Sequence, residues 1–173
     1  SLGVALSMQG SGIANVDIAS VIIKLMDDGF YTLAIGATDM GTGCDTILAQ
    51  MAAECLECDV DQIITQPVDT DSSPYDTGSY ASASTYVTGM AVVKACDELK
   101  QKLIKEASVL LDTKEEYITF DGQRIMAVEE GKEISLKVFC EQMFEGKRKG
   151  FDWGGFSCIS NISTTIYGRY CGS

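Results

Sequence analysis

Apolar residues along the chain change period several times, and each change marks an element. Over residues 16–36, VDIASVIIKLMDDGFYTLAIG, two runs rich in β-branched and apolar residues flank Asp27-Asp28-Gly29. Gly in that position supplies the positive φ of a tight turn, so the stretch predicts a β-hairpin. The next stretch has helical spacing: Ile47, Leu48, Met51, Ala52, Cys55 and Leu56 recur on one face, with Asp45 or Thr46 placed as N-cap. A short strand over 63–68 follows, making residues 30–68 a β-loop-α-β unit.

A second helix is predicted from Ser84 to Leu111, where Val92, Cys96, Leu99 and Leu103 form a stripe that Val93 and Ile104 widen. YITFDGQRIMAV, residues 117–128, predicts a second hairpin turning at Asp121-Gly122. A short helix over Leu136–Phe144 follows, with Ser135 as its cap. EGKRKGFDWGGF, residues 145–156, reads as loop, and SCISNISTTIYGRYC, 157–171, as a closing strand. Helices and strands mix without a strict βαβα repeat. The expected class is α+β, a mixed β-sheet with two principal helices in a single domain spanning 1–173. An apolar second residue and an apolar closing strand make both ends read as cut from a longer catalytic subunit.

Composition narrows the function classes. With 46% hydrophobic residues and two Pro in 173, the chain can bury a core. A net charge of −12 with no basic stripe beyond Lys147–Lys149 argues against nucleic acid as a partner. No apolar run nears the ~18 residues of a membrane span. Seven scattered Cys suggest reduced thiols in a cytoplasmic protein. His is absent, so no His-based triad or His-ligated zinc can lie within this chain.

Two segments could carry chemistry. GATDMGTGCDT, residues 36–46, places Gly41 and Gly43 before a helix N-terminus, whose unpaired N–H groups and dipole suit an anion. It is neither a Walker A loop nor a G-x-G-x-x-G fingerprint, and a plain strand-to-helix turn is the alternative. The second, DTDSSPYDTGSYASASTYVTG, residues 69–89, brings small hydroxyl residues to the start of the long helix. It reads either as a linker with an N-cap or as a loop that lets a bulky anion approach the backbone.

Other candidates read as structural. Cys55 and Cys58 form a C-x-x-C without a second half, and Cys55 fits the apolar helix face. Asp69, Asp71 and Asp76 lack calcium-loop spacing and read as turn caps. Glu129 and Glu130 sit in an exposed EEGKE turn, and Trp153 reads as the anchor of a surface loop.

Together, GATDMGTGCDTILAQMAAE and DTDSSPYDTGSYASASTYVTGMAV, about twenty residues apart, resemble the molybdenum-cofactor-binding subunit of the xanthine dehydrogenase and aldehyde oxidase family. The likeness covers nearly all of residues 3–100, and the last third matches more loosely. It implies a molybdopterin cofactor, in bacteria often the cytosine dinucleotide form. It also implies hydroxylation of an N-heterocycle or aldehyde with water-derived oxygen, and iron–sulfur clusters and FAD on partner domains or subunits. By matching position, Met40, Gly41 and Thr42 would lie against the pterin. Tyr80, Ala81, Ser82, Ala83, Ser84 and Thr85 would line the pterin and its phosphates, and Gln9–Ile13 would face the substrate cavity.

Two departures qualify this. Thr42 stands where many relatives have Gln, and the Gly-Glu-Pro-like stretch carrying the family's general base is absent, as is the loop contacting the metal's apical ligand. No catalytic or metal-ligating residue is therefore expected within the chain, which on this reading does not turn over substrate alone. The rival readings are a stand-alone anion- or nucleotide-binding module and an inactive structural homologue.

Overall fold

The computed structural model describes residues 1–8 and 16–148, together with the strand 157–163. Among the described residues, seven strands and three α-helices follow one another: β1 (Ile18–Leu25), β2 (Tyr31–Ile35), α1 (Cys44–Leu56), β3 (Ile63–Thr65), α2 (Ser84–Leu111), β4 (Ile118–Phe120), β5 (Arg124–Ala127), β6 (Lys132–Ser135), α3 (Leu136–Arg148) and β7 (Ser157–Ser163). They make a four-stranded sheet ordered β3-β2-β1-β7 and a three-stranded sheet ordered β4-β5-β6. The class is α+β, as expected.

The first hairpin forms where the turn chemistry put it. Gly29 takes φ 89, the Phe30 amide donates to Asp28 Oδ1 at 3.0 Å, and Met26 N–H donates to Phe30 O at 2.8 Å. Along β1 the period of two sorts the side chains: Ala19, Val21, Ile23 and Leu25 are at most 3% exposed, while Lys24 faces outward. β2 then feeds α1 and returns as β3, pairing parallel to β2 from Tyr31↔Ile63 to Leu33↔Thr65. Because only three residues pair, β3 is shorter than the run 63–68 suggests.

The two principal helices lie side by side over the sheet and run the same way. Gly89, early in α2, meets Leu48 and Met51 of α1; a Cβ there would come within 2.6 Å of Met51 Cε. Farther along, Lys100 Nζ donates to Cys55 O at 3.1 Å and to Glu57 Oε1 at 2.7 Å. Lys100 thus satisfies a carbonyl that the end of α1 leaves orphaned. Matching early with early and late with late makes the helices parallel, with both N-termini at one end of the sheet.

α2 begins and ends as its apolar stripe predicts, and Val92, Cys96, Leu99 and Leu103 are fully buried. Val93 and Ile104 are half-buried flanks. On α1 the buried face is rotated from the expected one. Leu48, Ala52 and Leu56 are buried with Ala49 and Ala53, while Ile47, Met51 and Cys55 are half-buried. Neither Asp45 nor Thr46 is the N-cap; that position is Gly43, and the helix starts at Cys44.

The second hairpin also forms, with the Gln123 and Arg124 amides donating to Asp121 Oδ1 at 3.1 and 2.7 Å. β6 was not predicted: KEIS has a single apolar residue, too few for a visible alternation. Ser135 Oγ accepts from the Val138 amide at 3.4 Å, as a cap of α3. That helix runs to Arg148, so residues 145–148 of the expected loop are helical. Trp153, Gln9–Ile13 and the chain beyond Ser163 lie outside the described residues.

The hairpin turn at Gly122 packs against the end of α1. Gly122 has φ 85, and a Cβ there would lie 1.8 Å from Glu57 O, a backbone atom at the end of α1. Gly122→Ala is therefore expected to destabilise the fold by about 1–3 kcal/mol, the usual range for overpacking a closed site. Gly131, also at positive φ, has nothing within 4 Å of such a Cβ. Urea unfolding of both alanine variants checks this, with Gly131→Ala losing clearly less.

Candidate functional site

The end of the sheet where α1 and α2 both begin is built from two loops, 36–43 and 66–83. β2 ends at Ile35, paired with Val21, so the first three residues of β1 have no partner on β2. Backbone groups left unpaired inside a protein are expensive, and the second loop supplies the partners. Ser20 N–H donates to Tyr75 O at 3.0 Å, Thr77 N–H to Ile18 O at 3.2 Å, and Ile18 N–H to Thr77 Oγ1 at 3.3 Å. Ala19 and Asp76 form an antiparallel bridge there.

Gly36 lets this happen. A Cβ at Gly36 would sit 2.3 Å from Pro74 O and 2.7 Å from Asp76 Cβ, so no other residue leaves room for the second loop to cross. Asp76 then braces that loop, accepting from the Gly78 amide at 2.8 Å and from the hydroxyl of buried Thr88 at 3.4 Å. Asp69 acts similarly at the loop's start, accepting from the Asp71 amide at 2.8 Å. Asp69 and Asp76 are turn caps, as the spacing suggested; Asp71 only donates its amide. Ser79 Oγ donates to Thr38 O at 3.3 Å and joins the two loops.

In the first loop, the amides of residues 41–43, just ahead of the helix N-terminus expected to suit an anion, are taken by the chain itself. Asp39 Oδ1 accepts from the N–H groups of Gly41, Thr42 and Gly43 at 2.8, 3.0 and 3.1 Å. A carboxylate of the chain itself therefore holds the donors before α1 and complements the positive end of its dipole. These bonds, from Gly41 and Gly43 foremost, hold the Asp39 carboxyl below its ordinary range. Sequence reasoning missed Asp39, although an Asp two residues before a Gly is a recognisable Asx-turn signal. Met40 is 70% exposed, and Gly41 and Thr42 are exposed beside it.

The start of α2 is different. No side chain caps it at Ala83, and no acidic residue lies in its first turn. Tyr80 O accepts from the Ala83 amide at 3.1 Å, closing a turn whose central residues, Ala81 and Ser82, both have positive φ, 52 and 57. That pattern ordinarily selects Asn-Gly, and residues with a Cβ adopt it at a cost of about 1–2 kcal/mol. Such strain concentrates at functional sites. Of the remaining candidates, Ser82 and Thr85 are exposed, Ser84 is half-buried, and Ala83 is buried in the core. Tyr80 directs its hydroxyl to Oδ1 of buried Asp17 at 2.5 Å. That bond, above all, raises the phenol above its ordinary range.

The remaining chemistry-bearing groups sit elsewhere or are committed. Asp39, Cys44 and Asp45 bring ligand-type atoms within 4.8 Å of one another, but Asp39 is engaged by amides and the Cys44 thiol donates to Asp45 at 3.6 Å. Glu129 and Glu130 are exposed in the turn before β6, where Glu130 pairs with Lys132 at 2.5 Å. A groove of about 420 Å³ lined by Glu54, Glu57, Cys58 and Asp59 lies at the opposite end of α1. Burial pushes the Cys58 thiol up to about 11, and Cys55 is raised by the same cause.

With that geometry in view, comparison with known proteins defines the class. The sequence pattern of the molybdopterin cofactor-binding domain matches residues 1–170, and the chain belongs to that family. Among its relatives is the putative xanthine dehydrogenase molybdenum-binding subunit XdhA of Escherichia coli K12, 34% identical over 153 residues, 87% of this chain and 20% of that protein. The probable hypoxanthine oxidase XdhD of the same organism is 38% identical over 109 residues, 63% of this chain and 11% of its own length. The fold is shared with CO dehydrogenase from Oligotropha carboxidovorans, at TM-score 0.74 and 24% identity over 85% of this chain and 18% of that one. Quinoline 2-oxidoreductase from Pseudomonas putida 86 gives TM-score 0.72 and 19% identity over 84% of this chain and 19% of that one. The chain thus spans 11 to 20% of the length of these curated relatives. Among the described residues, no helix is long and apolar enough to cross a membrane.

Two predictions follow from the charges here. Asp39 has a depressed folded value against an ordinary one of 3.8, so its stabilisation is complete above the ordinary value and lost as pH falls through the folded one. Asp39→Asn, which keeps an acceptor but cannot titrate, should flatten stability between about pH 5 and pH 2, measured by thermal melts across that range. Because their thiols are raised, Cys55 and Cys58 should alkylate slowly at neutral pH, which timed iodoacetamide labelling with mass spectrometry reads directly.

Proposed function

We propose that this chain holds the molybdenum cofactor at the paired helix starts, within an oxidoreductase of the xanthine dehydrogenase and aldehyde oxidase type. The observation that carries the proposal is asymmetric. Two parallel helices aim their N-termini at one place, Asp39 complements the first, and the second is left without a capping side chain or an acidic first turn behind a strained turn. An anion suits the second far better than the first.

On the resemblance, Met40, Gly41 and Thr42 would lie against the pterin, and Tyr80, Ala81, Ser82, Ala83, Ser84 and Thr85 would line the pterin and its phosphates. The local structure fits that division with one adjustment. Asp39 would repel a phosphate from the first loop, whereas exposed Met40 offers an apolar contact to a flat ring and Thr42 a hydroxyl. A Cβ at Gly41 or Gly43 would meet nothing within 4 Å, so that surface is open to a large group. Phosphate oxygens would take the first-turn N–H groups of α2 and the hydroxyls of Ser82, Ser84 and Thr85. Ala83 supports the site through its place in the core rather than through contact.

When bound, the cofactor supplies the redox chemistry by which an N-heterocycle or aldehyde is hydroxylated with oxygen from water. This chain's own residues bind and orient. Substrate selection and general base catalysis fall to parts of the enzyme beyond residues 1–173, and electrons would leave through iron–sulfur and flavin domains or subunits. The chain alone is therefore inactive on this reading, and the assembled enzyme acts on a small molecule in the cytoplasm.

The test is molybdenum and pterin analysis of the protein purified with its partners from a cofactor-producing host. Stoichiometric metal and pterin support the proposal; folded, assembled protein lacking both overturns it. Thr85→Glu separates binding from folding. A carboxylate in the first turn of α2 should leave the fold as stable or add about 0.3–1 kcal/mol. It should also lower cofactor retention roughly tenfold or more by facing phosphate with like charge. Melting of the cofactor-free protein should hold or rise, while the cofactor content of the assembled protein falls.

A further inference from the structure

Ala81 and Ser82 hold a conformation that neither residue favours, and the chain on either side of them is fixed. On one side, Ala83 is 7% exposed and packs into the core. On the other, the Tyr80 hydroxyl donates to Oδ1 of Asp17, a carboxylate only 2% exposed, at 2.5 Å and across 63 positions of sequence. A short hydrogen bond to a buried carboxylate is among the stronger kinds a protein makes. We infer that Asp17 and Tyr80 form a latch whose task is to hold the Ala81–Ser82 turn, so that the start of α2 meets its anion in one preset geometry.

The inference rests on the proposed binding role and makes Asp17 a positioning residue that the family resemblance did not name. It also reassigns Tyr80. The hydroxyl is occupied by Asp17, so Tyr80 acts on a ligand through the turn it anchors. Asp17 is well placed for this, because the next residue, Ile18, opens β1 and is itself bonded to Thr77 of the same loop at 3.3 Å. The latch and the strand pairing therefore fasten one loop at two points, on either side of Gly78.

The chain itself provides the test, without cofactor. The Ala83 amide, which closes the turn onto Tyr80 O, is the reporter. Tyr80→Phe should speed its hydrogen exchange roughly tenfold or more, as loss of a charge-assisted bond allows, while amides in the middle of α2 keep their rates. Asp17→Asn, which retains an acceptor, should give a smaller change in the same place and serves if Tyr80→Phe does not fold. Replacing Ala81-Ser82 with Asn-Gly in the Tyr80→Phe background should restore slow exchange, because the turn then needs no latch. Unchanged Ala83 exchange in both single variants overturns the inference, as does failure of Asn-Gly to rescue. Inorganic pyrophosphate titrated into the same proteins separates the two readings. If the unmodified chain takes up none, the anion role fails while the exchange data still decide whether the latch exists; if it binds, Tyr80→Phe should weaken it and Asn-Gly should recover it.

Discussion

The constraint on which the site depends is the difference in length between two neighbouring strands. β1 runs from Ile18 to Leu25, and β2 stops at Ile35 opposite Val21. The uncovered start of β1 must find hydrogen-bond partners elsewhere. Residues 75–77 provide them, and in doing so they carry the second loop to the spot where the first leaves the sheet. Gly36 is the point of crossing, where a side chain would close the passage. Sheet pairing thus decides where α2 begins, and the meeting of the two helix starts is a consequence of it.

That meeting has an electrostatic consequence. Parallel helices side by side bring two positive dipole ends together, which is unfavourable unless negative charge is placed between or before them. At α1 the chain supplies such charge in Asp39, just before the helix, and Asp45 in its first turn, while the first turn of α2 has no acidic residue. The 173 residues together carry −12, yet this does not prevent local attraction of an anion. Exposed charges are screened over about 8–10 Å at ordinary salt, whereas the dipole of a helix start acts within its first turn. Net charge argues against a long polyanion lying across the surface, and local geometry favours a compact one at α2.

Much of this architecture was legible from periodicity and turn chemistry. Both hairpins, the β2-α1-β3 unit and the full extent of α2 follow from the apolar pattern and from Gly after Asp. What escaped is instructive in kind. The start of α1 was misplaced because the expected caps, Asp45 and Thr46, lie inside the helix, while the N-cap is Gly43 and the Asp39 carboxylate holds the amides of residues 41–43 up to it. β6 escaped because Lys132, Glu133 and Ser135 hide a strand that is held by pairing with β5 rather than by burial. The Asp17–Tyr80 bond could not be read at all, since nothing in a sequence couples two polar residues 63 positions apart. The two segments suspected of chemistry do meet, through Ser79 and Thr38, but the sequence could not say that the first had already spent its amides on Asp39.

The small residues of the second loop do more than keep it open. Gly at positions 81 and 82 would adopt the positive φ without strain, yet it would also widen the set of conformations open to the loop before a ligand arrives. Ala and Ser keep their side chains small enough for a phosphate to approach the backbone while admitting far fewer conformations. Their strain is offset on one side by the Tyr80 hydrogen bond to Asp17 and on the other by the packing of Ala83 into the core. A loop built this way loses little further freedom on binding, which is the main route by which a preformed site gains affinity without new contacts. The choice of Ala-Ser over Gly therefore argues for a turn shaped in advance rather than one moulded by what it binds.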